Sequence, residues 1–97
     1  MKKIKLNQDK IFITDGVQQI IAKDNLNHLL LIMILDRFVK CDFSEMKYKE
    51  DIQMNMEAVE HEDGRVLAEY TLDEEKIWIA HYFGEHGYTT IMTPSEY

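Results

Sequence analysis

At Gly64 the hydrophobic period of the chain changes. Upstream, apolar residues recur at helical spacings. Downstream they alternate one by one: "RVLAEYTL" sets Val66, Ala68 and Tyr70 against Arg65, Leu67 and Glu69. After "DEE", "KIWIAHYF" sets Ile77, Ile79 and His81 against Lys76, Trp78, Ala80 and Tyr82, and a third run, "YTTIMT", follows "FGEHG". Three β-branched and aromatic segments joined by short polar or glycine-containing turns predict a three-stranded antiparallel meander. A chain of 97 residues buries only about 60 to 65% of its unfolded surface and cannot divide its core in two. The helical segments must therefore cover one face of the meander, which makes residues 1–97 a single α+β domain, helices first and meander last.

Those helical segments can be placed from their apolar spacing. "KIFI" (10–13) reads as a short strand, and "TDGVQQIIAK" (14–23) as a helix capped by Thr14 or Asp15, with Val17, Ile20 and Ile21 on its apolar face. "NLNHLLLIMILDRFVK" reads as a second helix capped by Asn25 or Asn27. Leu29 to Leu35 make this helix apolar on every side, which calls for a central position in the core or a second subunit. In so small a chain a homodimer through Leu29–Leu35 is the expectation. "SEMKYKEDIQMNMEAVEH" (44–61) reads as a third helix, with Ser44 as its N-cap and Tyr48, Ile52, Met56 and Val59 as its apolar stripe. "EDG" at 62–64 ends it, since glycine accepts the left-handed backbone of a helix terminus.

Charge divides the chain at about the same place. Net charge is −7, yet residues 1–41 carry seven Lys/Arg against four Asp/Glu, and residues 42–97 carry four against fourteen. An acidic surface of this kind repels phosphate backbones, so direct nucleic-acid binding is not expected. It keeps a small domain soluble, and it also attracts a basic protein, including one whose usual ligand is nucleic acid. The contact candidates are Glu50, Asp51, Glu57, Glu60, Glu62, Asp63, Asp73, Glu74 and Glu75. Cys41 is the only cysteine, so no internal disulfide forms and a reducing cytoplasm is the expected compartment. The start, "MKKIKLNQDKIFI", has no apolar signal-peptide stretch, and "LLLIMIL" is far shorter than the roughly 20 residues of a membrane span.

Catalytic patterns are weak throughout. The segment "KIWIAHYFGEH" holds His81, Glu85 and His86, and a small metal-dependent hydrolase built on those three is the alternative reading. On a strand, however, His81 shares its face with Ile77 and Ile79, while His86 lies past Gly84 in a turn, so no metal site is expected. Ser44 and Ser95 are the only serines and neither sits in a nucleophile elbow; Cys41 has no histidine nearby in sequence. The adjacent acids read as helix faces and hairpin turns, and no glycine-rich phosphate loop is present. No catalytic residue and no cofactor are assigned.

Taken together, "ED" at 50 and 51, Asn55, Ala58, "RVL" at 65–67, Tyr70, "KIWI" at 76–79 and the ending "TTIMTPSEY" resemble a family of small uncharacterised bacterial proteins. That family is carried on plasmids, prophages and other mobile elements, and is sometimes labelled as restriction-modification subunits. The resemblance covers residues 42–97, with only "TDGVQQII" faintly similar upstream. "DFSEM" stands where the family shows D-W-G-x-L, so Phe43 replaces the tryptophan and Met46 the leucine. "AHYFGEHGY" replaces an acidic segment that ends in arginine. The resemblance implies a mobile-element setting and no catalytic residue. Together with the charge it suggests an accessory protein that binds, and inhibits, a basic host protein of nucleic-acid handling or defence.

Overall fold

The computed structural model describes residues 2–97. A 3-10 turn, Gln8–Lys10, leads into β1 (Ile11–Ile13), followed by α1 (Asp15–Ala22), α2 (Asn27–Val39) and α3 (Lys49–His61). Strands β2 (Arg65–Leu72), β3 (Glu75–Tyr82) and β4 (Thr89–Met92) follow, and the chain closes in a second 3-10 turn, Pro94–Glu96. The fold is α+β, as the period change requires.

The sheet differs from the expected meander. It has four strands in the order β1-β4-β3-β2, because β1 pairs parallel to β4, with Ile11 beside Thr89 and Ile13 beside Ile91. Local periodicity does not report a partner nearly eighty residues away, and a three-residue strand is stable only beside one. The antiparallel part follows the alternation: Val66, Ala68, Tyr70, Leu72, Ile77 and Ile79 are buried on one face. The β2–β3 turn is tight. Asp73 (φ 51°) and Glu74 (φ 64°) both take the left-handed backbone, as a two-residue hairpin loop demands of its central pair.

Helices α1 and α2 cover that buried face, α1 against β4 and α2 against β2. Val17, Ile20 and Ile21 of α1 join Leu31, Ile34 and Phe38 of α2 in the core. Phe38 meets Tyr70 and His81 edge to face, with centroids 6.5 Å from each. The start of α1 is tied down from the far end of the chain. Glu96 accepts from the Thr14 hydroxyl at 2.6 Å and the Gly16 N–H at 3.0 Å, which holds its carboxyl down at about 2.

Two helix starts depart from expectation. Asn27 does not cap α2. It lies buried in the first turn and donates to the Ile20 carbonyl and to Asp73, at 2.8 and 3.1 Å. Helix α3 begins at Lys49 rather than after Ser44, because Asp42 takes both the backbone N–H and the hydroxyl of Ser44. Arg37 of α2 grips the same segment through Asp42 (2.9 Å) and Glu45 (2.7 Å), so residues 42–48 form a fixed loop. The hydrogen bonds from Arg37 and Ser44 hold Asp42 down at about 2. Tyr48, expected on the apolar stripe of α3, is an exposed cap residue, and Glu62 (φ 49°), ahead of Gly64, makes the left-handed turn that ends the helix.

Candidate functional site

Helix α3 buries only Asn55 and Val59 among its thirteen residues. Val59 joins the core, Ile52, Met56 and Ala58 pack half-buried against it, and an amide fixes the helix at the open side of the edge strand β2. The Asn55 side chain accepts from the Leu67 N–H at 3.1 Å and donates to the Leu67 carbonyl at 2.9 Å. Asn55 thus acts as a one-residue strand partner, satisfying two main-chain groups that an edge otherwise leaves open.

Because α3 sits beside the sheet, a groove of about 630 Å³ runs between the helix and the sheet face turned away from α1 and α2. By strand alternation that face carries Leu67, Glu69 and Trp78. Met46, Met54, Ala58, Leu67 and Trp78 supply the apolar lining, and Met54 is 65% exposed. Asp51, Glu57, Asp63 and Glu69 supply acids along the groove, against Lys47 and Arg65. Burial would raise the Glu69 carboxyl, but hydrogen bonds from Trp78 Nε1 and Lys76 Nζ, each 3.1 Å, hold it below its ordinary value. The Trp78 ring is braced in turn by Tyr97, edge-on at 5.5 Å, and Arg65 stands over Tyr97 at 5.4 Å. The result is an oily channel with a pre-set aromatic wall and an acidic margin.

The nine acidic candidates are all exposed, but they do not form one surface. Asp51, Glu57 and Asp63 line the groove, and Glu50, Glu60 and Glu62 lie on the same helix or at its end. Asp73, Glu74 and Glu75 belong to the hairpin turn beside α1 and α2, where Glu75 pairs with Lys23 and Asp73 accepts from Asn27. The sequence pattern missed Met54, Lys47, Arg65 and Glu69 as groove residues. Only the isolated methionine on a charged helix face and the outward position of Trp78 hinted at it.

His81, Glu85 and His86 are not assembled into a centre. His81 is buried, with Nδ1 2.8 Å from Thr89 Oγ1 and its ring edge-on to Phe38 and Phe83, and burial pushes its pKa down. Glu85 and His86 are exposed in the β3–β4 loop. Among the described residues no group of three or more His, Cys, Asp or Glu side chains is placed to hold a metal ion, and no helix is long and apolar enough to cross a membrane. Comparison with protein-family models, curated proteins and solved structures returned no match.

Proposed function

We propose that the protein is a non-catalytic binding module that receives a basic segment of a partner protein in the groove between α3 and the outer sheet face. The observation that supports this reading is the pairing of an apolar lining (Met54, Leu67, Trp78) with groove acids (Asp51, Glu57, Asp63) in one channel of about 630 Å³. A matching segment presents a large apolar side chain flanked by Lys or Arg: the anchor displaces water from the channel, and the flanking charges steer the approach. Nucleic-acid-handling proteins carry such basic segments. The resemblance of residues 42–97 to proteins of mobile elements supports an accessory, inhibitory role toward a host protein of that kind.

The test is calorimetric titration with a panel of twelve-residue peptides, each placing Lys and Arg around a Leu, Met, Phe or Trp anchor. At least one peptide should bind, and binding should weaken as salt rises. Asp51→Lys with Glu57→Lys should weaken it about tenfold or more while leaving the melting temperature nearly unchanged, because both groups are exposed. Absence of binding across the panel, or affinity indifferent to both the variant and salt, rejects the reading.

A further inference from the structure

The outward face of α2 is as apolar as its inward face. Leu26, just before the helix, and Leu29, Ile32 and Met33 within it are 55–62% exposed, and Leu30 beside them is 40% exposed. At helical spacing, Leu29, Ile32 and Met33 lie opposite the buried row Leu31, Ile34 and Phe38. Together the five side chains present on the order of 500 Å² of apolar surface, toward the upper end of the largest patch on an ordinary monomer.

We infer that this face is covered by a second copy of the same chain, the two α2 helices packing antiparallel across a two-fold axis near Ile32. Two such patches face to face bury about 1,000 Å², the lower bound for a specific interface. The polar residues around the patch choose the orientation. Antiparallel packing with Ile32 on the axis sets His28 of one copy against Asp36 of the other, a donor or cation meeting a carboxylate that Lys40 of its own chain already holds at 2.9 Å. Parallel packing sets Asp36 against Asp36 and leaves His28 without a carboxylate across the interface. The α3 groove opens on the opposite side of the sheet, so the dimer carries two grooves facing outward and is bivalent toward a repeated partner.

Sedimentation velocity on the full chain tests this. Near 100 µM the predominant species should have twice the 11.5 kDa chain mass. Ile32→Lys should raise the dimer dissociation constant by about thirtyfold or more, as at a central interface residue, with unchanged circular dichroism. His28→Asp should weaken the dimer, and adding Asp36→His should restore it. A monomer at that concentration, or a dimer indifferent to Ile32→Lys, overturns the interface. A double swap that fails to restore association overturns the antiparallel orientation.

Discussion

Helices α2 and α3 are each thirteen residues long, yet they are attached to the domain in different ways. Helix α2 inserts a row of large side chains into the core, ending in Phe38, which is wholly buried, and still has a second apolar face to spare. Helix α3 buries only Val59 of its apolar side chains fully and packs Ile52, Met56 and Ala58 half-buried against the core, and its register on β2 is set by the Asn55 amide. Hydrophobic burial is proportional to area and indifferent to direction, whereas a bidentate amide contributes little net energy but fixes position. The contrast assigns the two helices different work. Helix α2 holds the domain together, while α3 is a positioned wall whose shallow attachment leaves the groove beside it open.

The largest effect should come from the firmly seated helix. Phe38→Ala removes an aromatic ring that touches Phe43, Tyr70 and His81, and should cost about 3–5 kcal/mol in urea unfolding. A loss below about 1 kcal/mol would mean that α2 is not the main support. Next, Asn55→Ala should cost about 2 kcal/mol by leaving the Leu67 main-chain pair without its partner. Amide hydrogen exchange should then quicken in α3 well before it quickens in α2; uniform quickening would remove the distinction between the two helices.

Acid should act in two stages. The folded-state pKa of His81 lies below its unfolded 6.5, so the unfolded chain binds the proton more readily, and the stability tied to neutral His81 is lost as pH falls below 6.5. His81 packs under Phe38, so this first loss belongs to the α2 side. Asp42, which fixes the loop ahead of α3, is held at about 2 against an unfolded 3.8, and Glu96, which ties down α1, at about 2 against 4.5, so their contributions are full above 4.5 and disappear as pH drops toward 2. Urea midpoints taken from pH 8 to 2 should therefore show two declines, with the earlier one missing in His81→Phe. The smallest effect concerns the spare face of α2: Ile32→Lys should change the unfolding free energy of the monomer by less than about 0.5 kcal/mol, because Ile32 is exposed and buries little in one copy.

Alternation made β2 and β3 readable from the sequence, since the buried inward residues are apolar except His81 and each turn carries polar or glycine residues. The pairing of β1 with β4 was not readable, because Ile11–Ile13 has no local sign of its partner. Ser44 has the chemistry of a helix cap, yet its hydroxyl goes to Asp42, whose carboxylate Arg37 holds. Asn27 likewise goes inward to the Ile20 carbonyl instead of capping. In each case a tertiary partner outbids the local role of a short polar side chain. The acidic residues were evident from charge alone. Their division between the groove and the β2–β3 turn follows from how α3 docks on β2, whose register is set by a buried Asn that composition and periodicity do not distinguish from a surface one.

Trp78 is the only tryptophan in the chain and lines the groove, so its fluorescence reports directly on whether a ligand enters there. The direct measurement is its emission during titration with the tightest peptide of the basic panel, run in parallel on Met54→Asp, which places a charge in the apolar lining. Emission should shift to the blue on binding and follow the calorimetric isotherm, and both the shift and the affinity should be lost in Met54→Asp. Binding that leaves Trp78 emission unmoved and tolerates Met54→Asp would place the ligand elsewhere and contradict the groove as its site.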